Sequence, residues 1–220
     1  MPSTGVCIES GKKRVFASAL TWPGWSRSAP SEAAAVEALI AYGPRYAKVL
    51  ESTKLGFVPP KTTQHLKIVE RVPGNGTTDF GAPAGAAAWE ESEIDGKDLK
   101  RLLSILDASW TALDRSLAKA SGARLRTGPR GGGRAAEKIL AHVRDTEAAY
   151  LRKIGGARSH PAGIVEERAS LVEAFKRAAI DGVPLSNPRG GKMWTPRYLV
   201  RRTAWHVLDH TWEIEDRLEA

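Results

Sequence analysis

Apolar and polar positions follow two different rhythms along this chain. Before Val72 they change over short runs. Val6–Glu9 and Val15–Leu20 are β-capable segments separated by the polar, turn-like Ser10–Arg14, the pattern of a hairpin. Trp22-Pro23-Gly24-Trp25 breaks the second strand. Ser31 precedes Glu32 and an alanine-rich run, which predicts an N-capped helix with Val36, Leu39 and Ile40 on one face. Gly43-Pro44 interrupts that helix, and a second short helix is expected to about Leu55. Leu66–Val72 reads as a third strand, with Leu66, Ile68 and Val72 on one side. From Pro73 to Ser92 the sequence PGNGTTDFGAPAGAAAWEES is rich in Gly, Pro and Ala without periodicity, and reads as a linker.

From Asp95 onward the rhythm is helical. Leu99, Leu102, Leu103, Leu106, Trp110, Leu113 and Leu117 repeat at three-four spacing, predicting a helix over Asp95–Ala120. A second helix is expected over Arg134–Ile154, with Ile139, Val143 and Tyr150 inward and Gly155-Gly156 as its stop. A third is expected over Ile164–Ile180, on Ile164, Leu171, Val172 and Phe175. The fourth starts near Pro196, a first-turn proline, and runs to the C-terminus on Leu199, Val207, Ile214 and Leu218. The fold class is therefore α+β. A small mixed domain over 1–72 and a linker over 73–94 precede an antiparallel four-helix bundle over 95–220, which is expected to fold independently.

Composition narrows the setting. With 220 residues, 42% of them hydrophobic, the chain can bury a core without disulfides, and its single cysteine, Cys7, cannot form one internally. Cys7 is expected to be buried and inert. The opening MPSTGVCIES lacks a basic start followed by an apolar stretch, and no apolar run approaches a membrane span, so the expected location is the cytoplasm. The net charge of +8 falls mostly in the second half, which carries 23 basic and 16 acidic residues. The basic residues cluster around Arg124, Arg126, Arg130 and Arg134 and around Arg189, Lys192, Arg197, Arg201 and Arg202. No nucleic-acid motif accompanies them, so a solvated surface is expected.

The candidate chemistry lies in the histidines. His206 and His210 are four residues apart, one above the other on the stripe of Thr203, Val207 and Ile214. His142 lies between Ile139 and Thr146 on the inward face of the second helix. Three neutral imidazoles on facing helices suit Zn, Ni, Fe or Mn and leave coordination positions open. The competing reading is three core histidines satisfied by carboxylates. Glu213 shares their face; it either orients an imidazole or acts as general base, or it pairs with Arg217. Arg202, one turn before His206, either meets an anionic substrate or reaches solvent. Asp209 and Glu147 read as surface or inter-helix pairs, and Tyr150 and Trp205 as packing residues. GPRGGG lacks the lysine and serine of a phosphate loop and reads as a flexible connection.

ILAHVRDTEAAYL together with RRTAWHVLDHTWEIEDRL resembles the DinB-like superfamily, over about Asp95 to Ala220. That group includes metal-dependent enzymes and thiol-dependent transferases and isomerases. The resemblance implies a four-helix bundle holding a divalent metal through His142, His206 and His210. It also implies a low-molecular-weight thiol as co-substrate, or hydrolysis by a metal-bound hydroxide. The expected partners are a small-molecule substrate or thiol and a second copy of the chain, with no membrane and no nucleic acid. The hairpin, TWPGW and SEAAAVEAL, over about Val6 to Leu39, resemble the HicB-like fold. This resemblance implies a scaffold or partner-binding module, and the alternative function is a non-catalytic interaction protein with a structural metal or none.

Overall fold

The computed structural model describes residues 3–127, 133–157, 163–183 and 192–218. Strands β1 (Thr4–Ser10) and β2 (Val15–Ala19) form the expected antiparallel hairpin. A further strand, β3 (Ser26–Ala29), adds to β2, and β4 (Leu66–Pro73) pairs parallel with β1, giving the order β3-β2-β1-β4. The sequence Ser-Arg-Ser-Ala has no apolar alternation to announce β3. The strand is held by backbone pairing and by a buried hydroxyl contact between Ser18 and Ser26 at 2.6 Å.

Helix α1 (Glu32–Leu50) starts where Ser31 caps it, its hydroxyl accepting from the Ala34 amide at 3.3 Å. It does not stop at Gly43-Pro44, as the sequence suggested, but runs through Pro44 to Leu50. Tertiary packing outweighs the lost hydrogen bond of the proline. Tyr46, one turn before the end, is fully buried and donates to the Pro23 carbonyl at 2.7 Å. Gly43 lies so close to Pro59 that a Cβ there would stand 3.1 Å from the proline ring.

The stretch read as a linker is structured. Helix α2 (Gly76–Phe80) is capped by Asn75, with Thr78 returning the bond to the Asn75 amide. Thr78 is buried and donates to the Glu9 carboxylate, which also accepts from the Ala84 amide at 2.8 Å. A 3-10 turn over Ala88–Glu91 follows and carries the buried Glu90.

Helices α3 (Gly96–Ala120), α4 (Ala136–Arg152), α5 (Ile164–Asp181) and α6 (Pro196–Arg217) fall close to the expected bounds. Asp95 caps α3, accepting from the Asp98 amide at 2.7 Å, and Thr195 caps α6 ahead of Pro196. The four helices share a core built from Leu106, Leu113, Ile139, Val143, Phe175 and Val207, among others. Together with the sheet they make a mixed α and β architecture.

The apolar interior does not divide at the expected boundary. A second core joins Val6, Ile8, Trp25 and Leu39 of the first half to Ile105, Ala108, Ala204, Leu208 and Trp212 of α3 and α6. Gly24 shows how close the two halves come. Its φ of +93° suits glycine, and a Cβ there would meet Leu208 Cδ1 at 2.8 Å. Helix α6 thus lies between the sheet and the other helices, and 16 of its 22 residues are buried.

Candidate metal centre

Helix α4 presents Ile139, Val143, Glu147 and Tyr150 inward at helical spacing, and His142 lies at the margin of this stripe. Helix α6 brings His206 and His210 to the same place. The coordinating nitrogens of His142, His206 and His210 all lie within 4.8 Å of one another, and His142 Nε2 is 3.3 Å from His206 Nε2. The three rings meet nearly edge to face, with centroids 4.7 to 5.1 Å apart. The sequence placed these three side chains together, and the fold brings them together.

Burial shifts two of these rings toward the neutral form. Burial holds His206 well below the usual histidine range, and the neighbouring His210, His142 and Arg202 push the same way. Burial also lowers His142, followed by the effects of His210 and Arg134. A neutral imidazole has a lone pair to offer a cation. His206 Nε2 faces the cluster, and its Nδ1 is buried with no hydrogen-bond partner among the described residues.

Glu213 contacts both an imidazole and Arg217. Its Oε2 lies 2.8 Å from His210 Nδ1, and its Oε1 accepts from Arg217 Nη1 at 2.6 Å. The His210 hydrogen bond is the largest of the causes that hold the Glu213 carboxyl below the usual carboxylate range. Arg217 is itself anchored to the carbonyls of Arg126 and Arg134. A carboxylate on Nδ1 leaves Nε2 of His210 for the centre, the arrangement by which proteins orient metal-ligating histidines. Three imidazoles backed by one carboxylate are a donor set that fits a divalent ion and leaves part of its coordination open.

Arg202 does not reach solvent, being 6% exposed; its Nη2 donates to the Tyr150 hydroxyl at 3.0 Å. Arg197 and Arg201, expected on a solvated face, are buried as well. Arg201 pairs with Glu90 at 2.6 and 3.0 Å, and Arg197 with Asp98 at 2.6 Å. Their partners lie about a hundred residues away in sequence, beyond any local signal.

The remaining side chains fall into place. Glu147 is buried, accepts from Trp110 Nε1 at 2.6 Å, and is pushed up to about 7 by burial. Asp209 pairs with Arg27 of β3 at 3.1 Å. Tyr150 packs on Trp194, and Trp205 meets Phe16 edge-on. Cys7 is buried, and burial pushes its thiol up to about 12. His65 is away from the cluster, bonded to Thr62 at 3.1 Å. His160, Arg189 and all of GPRGGG except Gly133 lie outside the described residues.

No protein-family model, curated protein or solved structure matches this chain. Its function must be argued from the site's own chemistry. Among the described residues, no helix is long and apolar enough to cross a membrane.

Proposed function

We propose that this chain binds one divalent metal ion through His142, His206 and His210 and is a metal-dependent enzyme acting on a small molecule, by thiol transfer or by hydrolysis. The convergence of three imidazole nitrogens within 4.8 Å on two helices carries this reading. The neutral state of His142 and His206 and the carboxylate behind His210 support it. So does the resemblance of α4 and α6 to the DinB-like superfamily and its four-helix bundle. A divalent ion held there would lower the pKa of a bound water or thiol and supply a nucleophile at neutral pH.

The chain's own residues would divide the remaining work. Glu213 has both oxygens engaged, so it orients His210 through Nδ1 rather than accepting a proton from substrate. Tyr150, Trp194 and Trp205 would form aromatic neighbours for the Arg202 guanidinium beside the cluster. The N-terminal sheet serves as a scaffold that fixes α6 from its other side.

The test is elemental analysis of the purified protein, with about one metal per chain expected. His210→Ala should lose most of it and His65→Ala none. Equal metal content in the two variants would overturn the assignment. A second reading is favoured by the burial of His206, which is 7% exposed: the metal ties α4 to α6 without catalysis. A cobalt-loaded protein whose absorption spectrum no added thiol or anion perturbs would establish this second reading.

A further inference from the structure

Helix α6 buries four arginines, Arg197, Arg201, Arg202 and Arg217. Three of them reach acceptors of full or partial negative charge. Arg197 has Asp98 and the carbonyls of Ser92 and Glu93. Arg201 has Glu90 and the Gly85 carbonyl. Arg217 has Glu213 and the carbonyls of Arg126 and Arg134. Among the described residues, Arg202 has only the neutral Tyr150 hydroxyl.

Its Nε and Nη1 are buried with no partner among the described residues. Those two nitrogens carry three N–H donors on a group that is always charged. Three aromatic rings surround it, those of Trp205, Tyr150 and Trp194, at 5.1, 5.5 and 6.0 Å from Cζ. Ring faces attract the cation but do not replace the strong in-plane acceptors its hydrogens favour. A buried guanidinium in this condition is costly unless an anion completes it. Arg202 precedes His206 by one helical turn, a rise of about 6 Å. The Thr203 hydroxyl beside it is likewise buried and unpartnered among the described residues.

We propose that Arg202 receives a carboxylate of the small-molecule substrate, one helical turn from the three-histidine cluster, with Tyr150 fixing the guanidinium plane. This rests on the metal reading for the substrate's other anchor. A single guanidinium between aromatic walls matches one negative charge on a planar group, which it can hold by two parallel N–H donors. A dianion would bring an uncompensated second charge against the same apolar walls. The substrate is then a short carboxylic acid whose reacting group reaches the histidine cluster.

The experiment uses the full-length metal-loaded protein and two probes that bind divalent metals through a hydroxamate: succinic monohydroxamate and its terminal amide. Calorimetry should show the acid binding at least about tenfold tighter than the amide. Arg202→Met should abolish the preference without changing metal content, and Arg202→Lys, which keeps the charge but loses the fork, should keep part of it. No preference in the wild type would overturn the proposal, even if the methionine variant fails to fold. An equal preference in the wild type and Arg202→Met would overturn it too. A parallel titration of metal-free protein with succinate, followed by tryptophan fluorescence, separates the two readings. If the wild type binds no metal, the metal reading falls and this titration alone decides Arg202. A saturable response that Arg202→Met loses supports the carboxylate site, and no response, or one the variant retains, overturns it.

Discussion

The two sides of α6 treat buried polar groups in opposite ways. Toward the sheet and the 84–98 segment, charge is met by charge. Arg201 pairs with Glu90, Arg197 with Asp98, and Tyr198 donates to the Ala84 carbonyl at 2.9 Å. Toward α4, polar atoms are left over. Of seven buried side-chain nitrogens and oxygens without a partner among the described residues, four belong to Arg202, Thr203 and His206, against two on the other side, Glu9 Oε2 and Arg197 Nη1, whose groups are otherwise well bonded. Unsatisfied buried groups are expensive, so a fold tolerates them where something else completes them. The anchored side therefore reads as architecture, and the open side as a place for ligands.

The most severe way to break the contrast is to remove the anchored side altogether. A chain starting at Asp95 would expose Ile105, Ala204, Leu208 and Trp212, each large apolar side chain losing about 1.5–3 kcal/mol of burial. Such a fragment should lack a cooperative melt by circular dichroism; a sharp transition would show that the helices do not need the sheet. Glu90→Ala is next. It leaves the Arg201 guanidinium buried and uncompensated, and should cost about 3–5 kcal/mol in denaturant unfolding. A loss below about 1 kcal/mol would mean that Gly85 and water suffice.

The third prediction concerns pH. Burial raises Glu147 from 4.5 to about 7, so the folded state binds its proton more tightly than the unfolded chain does. The resulting stability is fully present below pH 4.5 and is lost as pH rises through 7, on the order of 3 kcal/mol in all. Glu147→Gln, whose amide oxygen can still accept from Trp110, should flatten that slope in chemical denaturation at about pH 5 and pH 8. An unchanged slope would place the titration elsewhere.

The smallest effect belongs to the open side. Glu213→Gln should weaken metal affinity by about 10–100-fold in a chelator competition, while the metal-free protein stays folded. Undiminished affinity would mean that the Glu213 contact does not orient His210.

Much of the open side was legible in the sequence. Helical spacing is a local property, and spacing alone puts His142, His206 and His210 on inward faces. The cap at Ser31 and the proline at 196 mark helix starts for the same reason. The anchored side was not legible. Its determinants are pairs such as Arg201–Glu90, 111 residues apart, and a Gly/Ala-rich stretch whose order comes from contacts with α6 and Glu9. A polar β3 and a helix that tolerates Pro44 were hidden too, because tertiary packing overrides local preference there. Arg197, Arg201 and Arg202 misled most, because α6 buries them. Charge on a surface and charge waiting for a distant partner look alike in one dimension.

The near-complete burial of α6 also limits how this protein can change. Most surface helices offer one forgiving face on which substitutions accumulate without effect. With two cores, three anchored arginines and the histidine cluster around it, α6 has almost none. New specificity would have to come from the neighbours that line the Arg202 side, Tyr150 on α4 and Trp194 ahead of α6, leaving the central helix as the inherited part.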